Sequence, residues 1–147
     1  MNIEIERKFL VTSTAYKQLS IEKIEIIQGY LSKIPERTVR IRIADKNAWL
    51  TLKGKSDSQG LARREWEYKI PLSEAHELLA LCEKPLIRKT RYKIPYNNLM
   101  IEVDEFQEPR QTVWAEVELP SMDTPFDPPE WLGKEVTGDP NYYNAQL

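Results

Sequence analysis

The sequence holds a single cysteine, Cys82, and a single histidine, His76, among 147 residues. One cysteine excludes an internal disulfide framework and a cysteine-based metal cluster within one chain. One histidine excludes an ordinary zinc site built from several imidazoles, and it disfavours the usual Cys–His nucleophile pairs. Long apolar runs are missing too: none approaches the roughly 18–20 residues that span a bilayer. The first segment, MNIEIERKFLV, is charged at once and lacks the apolar region of a signal peptide. A cytoplasmic location without a membrane partner is the expectation. Net charge is also nearly absent, at −2, so the chain has no global attraction for nucleic acid. The length argues for a single domain over residues 1–147, large enough to bury about two-thirds of its unfolded surface.

What is present is charge in a pattern: 30% of the residues are charged, 21 basic against 23 acidic. Segment after segment alternates with period two, the mark of strands with two unlike faces. Strands are expected over 2–11, 22–33, 37–44, 48–55, 62–70, 86–94, 99–106 and 111–119. A short helix is expected at Ala15–Leu19, and a second opens at Ser73 and runs through Leu81. The tail reads as a short helix at Glu130–Leu132 and another near Tyr142–Gln146. Short turns between strands suggest a largely antiparallel meander, hence an α+β fold.

A strand with one polar face usually wets it. Here the polar faces carry Glu, Asp, Lys and Arg, and the signs segregate by strand. Arg40/Arg42, Lys53/Lys55 and Lys89/Arg91 are basic pairs, while Glu4/Glu6, Glu102/Asp104 and Glu116/Glu118 are acidic pairs. A merely solvated surface intermixes signs to limit repulsion. Closing about eight such strands into a barrel removes the sheet edges. With helices outside, the apolar faces point outward and the charged faces line a lumen. Basic groups packed together need an anion, and acid pairs need a cation. An oligophosphate with Mg²⁺ or Mn²⁺ satisfies both, which is a setting for metal-assisted phosphoryl chemistry.

The motifs then resemble one family in order. Glu4-Ile5-Glu6-Arg7-Lys8 is similar to the ExExK signature of the CYTH superfamily, the triphosphate tunnel metalloenzymes. Arg40-Ile41-Arg42, Trp49–Gly54, Arg63–Glu67, Lys89–Tyr92, Glu102-Val103-Asp104 and Glu116-Val117-Glu118 resemble its later strands, and Gly133–Thr137 resembles its tail. The resemblance covers nearly the whole chain. It implies an eight-stranded antiparallel closed β-barrel, a triphosphate tunnel with helices packed outside.

The resemblance implies inorganic triphosphatase activity first. Thiamine or nucleoside triphosphatase and class IV-type adenylate cyclase remain as alternatives, as does a non-catalytic anion-binding module. Glu4, Glu6, Glu116 and Glu118 are the expected metal ligands. Glu65, Glu67 and Asp104 either join them or orient the basic residues. Lys8, Arg40, Arg42, Lys53, Lys89 and Arg91 are the expected triphosphate clamps, with Arg63 a further candidate. Lys8, Tyr30, Glu116 and Glu118 are the candidates for direct participation in the reaction. Tyr30 either hydrogen-bonds Lys8 or the water, or is a tunnel-wall tyrosine. No residue stands out as a general base. The partner expected is a small-molecule triphosphate, and a homodimer is left open.

Overall fold

The structure is a computed structural model that describes residues 2–147, with Met1 outside the described residues. The chain forms β1 (Ile3–Val11), α1 (Ala15–Leu19), β2 (Glu22–Ser32), β3 (Arg37–Ala44), β4 (Asn47–Gly54) and β5 (Ala62–Ile70). It continues through α2 (Leu72–Leu81), β6 (Glu83–Tyr96), β7 (Leu99–Glu108), β8 (Thr112–Glu118) and β9 (Leu132–Glu135). Two short 3-10 turns follow, Pro140–Tyr142 and Asn144–Gln146.

The sheet runs β5-β4-β3-β2-β6-β7-β8-β1-β9. Two meanders, β2 to β5 and β6 to β8, join through the β2–β6 pair. The barrel closes where β1 meets β5, with Ile3 opposite Arg64, Glu4 opposite Arg63 and Ile5 opposite Ala62. One edge of β1 thus serves two partners: β5 at its start and β9 at its end, where Phe9 lies opposite Glu135. Every pairing is antiparallel. The expected eight-stranded closed barrel is present, with β9 as a short addition on its rim.

Apolar faces do point outward, because α1, α2 and the loops cover them. Ala75 and Leu79 of α2 press on Ile41, Ile43 and Ala48, with Cys82 beside them. Gly29 lets this layer close, since a Cβ there would lie 2.7 Å from Cys82 Cβ. On the other side Tyr16 of α1 joins Tyr92, Ile94, Val103, Val117 and Trp131. Each buried Leu, Ile, Val or Phe in these layers contributes about 1.5–3 kcal/mol of transfer free energy.

Three local expectations change. Glu130–Leu132 is no helix: a turn leads straight into β9, which takes backbone hydrogen bonds along β1 that a helix would forgo. The residue flanking the start of α2 is Pro71, not Ser73, and no side chain caps it; the proline ring fixes φ at −61, while ψ 140 keeps this residue outside the helix. Strand β6 is longer than expected, and its register against β7 shifts between Arg88 and Lys89. A third packed group lies inside the barrel: Tyr30, Ile87, Phe106 and Trp114 meet Tyr142, Ala145 and Leu147 of the tail. The C-terminal segment therefore plugs the lumen.

Candidate active site

The plug leaves a cavity of about 440 Å³. Its wall carries Glu4, Glu6, Lys8, Tyr30, Arg40, Arg42, Lys53, Arg63, Arg91 and Glu116. Strand alternation puts these side chains inside, as the period-two reading requires. Its mouth is formed by Lys33, Pro35, Glu36, Lys55 and Ser56, and its floor by Pro140, Tyr143, Asn144, Ala145 and Gln146. Of the candidates from the sequence, Glu65, Glu67, Lys89, Asp104 and Glu118 do not line the cavity.

The basic side is under-compensated. Burial, then the neighbouring charges of Arg40 and Arg91, pushes the Arg42 guanidinium down to about 9. Arg42 Nε donates to Gln28 Oε1 at 2.8 Å. Arg40 Nη2 donates to Thr51 Oγ1 at 3.2 Å and lies 3.6 Å from Glu67, yet its buried Nε has no partner. A buried charged donor without an acceptor is costly and marks a place for an anion. Arg91 differs: Asp104 takes its fork at 2.8 and 2.9 Å.

Asp104 sits behind the cavity wall. It also pairs with Lys89 Nζ at 2.8 Å. Burial alone would raise its carboxyl, but the charges of Arg91 and Lys89 outweigh it and hold it at about 2. Burial brings Lys89 down to about 7, against the pull of Asp104. Lys89 Nζ also donates to Asn144 Oδ1 at 2.9 Å, so the plug covers it. Lys8 is likewise engaged, donating to the Tyr142 carbonyl at 2.9 Å and lying 4.9 Å from the Tyr143 ring centroid.

On the acidic side, Lys53 Nζ donates to both Glu4 oxygens, at 2.8 and 2.9 Å. Burial tends to raise Glu4, but this pairing wins and lowers it. Glu6 goes the other way. Burial and the charges of Glu116 and Glu4 raise it well above the ordinary carboxylate range. Glu116, although buried, is lowered by the charge of Lys8 and a hydrogen bond from Glu6. The two neighbouring carboxylates thus shift in opposite directions, Glu6 up and Glu116 down. Among the described residues no three Asp, Glu, His or Cys side chains stand together as a ready-made metal cluster. The donor chemistry of Glu4, Glu6 and Glu116 nevertheless fits a hard divalent cation, which prefers oxygen ligands and offsets the repulsion among their charges.

The remaining candidates fall into place around this centre. Glu118 is exposed. Glu65 lies 3.7 Å from Lys53, and Glu67 accepts from Thr51 Oγ1 at 2.8 Å. Arg63 Nε donates to the Gly54 carbonyl at 3.0 Å and its Nη2 reaches Pro35 O and Thr38 Oγ1 at 3.3 and 3.4 Å, so it ties the mouth together. Tyr30 lies in the wall, its ring packed with Ile87, Phe106 and Trp114. Trp114 packs against Phe106 at a tilt and meets Tyr142 edge-on.

Residues 2–143 match the CYTH domain. The chain belongs to the CYTH family. Two relatives of this CYTH protein carry the name inorganic triphosphatase. One, from Acetivibrio thermocellus, is 46% identical, covering 100% of this chain and 94% of its own length. The other, from Nitrosomonas europaea, is 35% identical and covers 98% and 95%. A crystal structure of an inorganic triphosphatase superposes with a TM-score of 0.67 at 31% identity, over 99% of this CYTH chain and 94% of its own. This family is that of the triphosphate tunnel metalloenzymes.

Sequence reasoning missed Gln28, Thr51 and Asn144, which shape the site without carrying charge. Gln28 and Thr51 share the inward parity of Arg42 and Arg40, and that parity is the signal that finds them. Asn144 gives no such signal, because it lies outside any strand.

Proposed function

We propose that this CYTH protein hydrolyses the terminal anhydride of inorganic triphosphate, using Mg²⁺ or Mn²⁺. The observation that carries the reading is the excess of cationic donors on one cavity: Arg42 depressed by its neighbours and Arg40 Nε without an acceptor. A triphosphate supplies the missing acceptors, and the names of two full-length relatives point to the same substrate. Lys33 and Lys55 also line the cavity and add positive charge for a polyanion.

Arg40, Arg42, Arg91, Lys8 and Lys53 bind and orient the non-bridging oxygens. Asp104 acts through Arg91 and Lys89 by fixing their heads, and Glu67 does the same for Arg40 through Thr51. Glu4, Glu6 and Glu116 would hold the cation, with the exposed Glu118 at most a distant support. The cation supplies charge neutralisation and an activated water. In the reaction, a water oxygen bonds to the terminal phosphorus as the bridging P–O bond breaks, and the protons of the water pass to the product phosphate oxygens or to solvent. Pyrophosphate and phosphate leave. The enclosing barrel and plug exclude bulk water, and the cationic wall stabilises charge on the departing pyrophosphate. Tyr30 shapes the wall beside these oxygens.

The test is phosphate release from inorganic triphosphate with Mg²⁺, with Mn²⁺ and with EDTA, alongside ATP analysed for cyclic AMP. Cation-dependent release from triphosphate, abolished by EDTA, is expected. Cyclic AMP with little release from triphosphate overturns the hydrolase reading in favour of a cyclase. No turnover of either leaves an anion-binding module.

A further inference from the structure

We propose that Asn144, in the C-terminal plug, and Gln28, in β2, are positioning residues that set the Arg42 guanidinium for its anionic ligand. The inference rests on the reading of the cavity as a triphosphate site. It assigns part of the binding machinery to the tail.

The argument is one of donors and acceptors. Gln28 is fully buried, so its amide must satisfy both ends inside the protein. Its Oε1 accepts from Arg42 Nε at 2.8 Å. Its Nε2 must then donate, and the acceptor is Asn144 Oδ1 at 3.0 Å. The same Oδ1 accepts from Lys89 Nζ at 2.9 Å. Two donors converge on this oxygen, so the orientation of the Asn144 amide is determined, and with it that of Gln28. If Gln28 turned over, its NH₂ would face Arg42 Nε, donor against donor.

The tail can impose this because its own position is held. Tyr142, Ala145 and Leu147 pack on Tyr30, Ile87, Phe106 and Trp114. The Tyr142 carbonyl accepts from Lys8 at 2.9 Å. Asn144 sits between these anchors, at the start of the last 3-10 turn. Arg42 needs such an aid. Its neighbours Arg40 and Arg91 repel it, while Asp104 is already forked onto Arg91. Without Gln28 the guanidinium has reason to swing away from the other two, and a bidentate grip depends on its plane.

The experiment is a double-mutant cycle on steady-state hydrolysis of inorganic triphosphate at saturating Mg²⁺. Asn144→Ala is expected to raise KM about 10-fold and to change kcat less than about twofold, because it disturbs a binding group. Gln28→Ala is expected to raise KM at least as much. The Asn144→Ala/Gln28→Ala pair should bind no worse than Gln28→Ala alone, and in an Arg42→Ala background Asn144→Ala should change KM less than twofold. Additive effects, or an Asn144→Ala KM equal to wild type, overturn the proposal. A loss of kcat with KM unchanged overturns it as well. Melting curves accompany each variant. If Asn144→Ala melts early, the comparison of Gln28→Ala with and without Arg42→Ala still decides. Failure of the wild type to hydrolyse triphosphate is a different result, and it overturns the functional reading itself.

Discussion

Lys53 holds Glu4 by both carboxylate oxygens, at 2.8 and 2.9 Å. One residue is a candidate clamp for phosphate and the other a candidate ligand for a cation. Without either ligand they neutralise each other, which lowers Glu4 and raises Lys53. On the proposed function, binding of triphosphate and cation would exchange this internal pair for two external ones.

Glu4→Gln should therefore have effects of opposite sign. Cation-dependent hydrolysis should fall on the order of 100-fold, as loss of a group supporting a metal site does. Triphosphate binding in EDTA should tighten, since Lys53 is released and a negative charge is gone. Calorimetric titration with triphosphate and a phosphate-release assay read the two effects. Weaker binding in EDTA would show that Glu4 orients Lys53 rather than restraining it.

Arg42→Met should separate stability from binding. Removing one of three crowded guanidinium charges relieves repulsion, but it leaves the buried Gln28 Oε1 without its donor, which costs about 1–3 kcal/mol. The two effects oppose each other, so the melting temperature should stay within about 5 °C of wild type. Triphosphate KM should rise about 10–100-fold, the equivalent of one charged hydrogen bond of about 1.5–3 kcal/mol. Thermal melts and steady-state kinetics on the same sample check both.

The Arg7–Glu135 pair predicts a pH dependence of stability. Arg7 Nε and Nη2 donate to Glu135 at 2.9 and 2.7 Å. This holds the Glu135 carboxyl below the ordinary carboxylate value. A depressed carboxyl stabilises the fold above its unfolded pKa, and the contribution is lost as pH falls through the folded value. The side chains are 25% and 36% exposed, so solvent screening limits the pair to about 0.5–1 kcal/mol. Urea unfolding of Glu135→Gln should show that deficit at neutral pH and none at a pH where carboxylates are protonated. A deficit that persists in acid would assign it to packing.

Gly60 and Gly138 predict a mechanical link between mouth and plug. Gly60 has φ +74, and a Cβ there would lie 2.3 Å from Gly138 Cα. Gly60→Ala should destabilise by about 1–3 kcal/mol through φ strain and overlap, and raise triphosphate KM as the plug shifts. Gly54→Ala is the control: its Cβ would meet Arg64 Cβ at an ordinary 3.8 Å, and the change should stay within about 0.5 kcal/mol.

The barrel was legible where each strand has one charged and one apolar face. Arg40/Arg42 against Ile41/Ile43 sets the parity of β3, and Thr51/Lys53 against Leu50/Leu52 sets that of β4. In β6 that contrast disappears, because Lys89, Thr90, Arg91 and Tyr92 are all buried, two inward and two under the outer layers. A register shift beside Lys89 blurs it further. Charged residues of the cavity were readable in the same way, but their division into wall and support was not. Asp104 and Glu116 look alike in sequence, and only the side chains on their neighbouring strands distinguish them. The plug and β9 were illegible for a different reason. Their partners lie more than a hundred residues away, at Phe9, Lys8 and Gln28, and nothing local records that.

The closure of β1 on β5, β8 and β9 also dictates when the site can exist during synthesis. A nascent chain that has emerged as far as β7 still lacks β8, the strand that joins β7 to β1. It carries two open edges, each able to recruit another incomplete chain. Most of the pairings that finish the structure are distant in sequence, which slows closure. The cavity floor arrives later still, with residues 140–146. Until they arrive, the charged side chains of the lumen face water and the proposed site is incomplete.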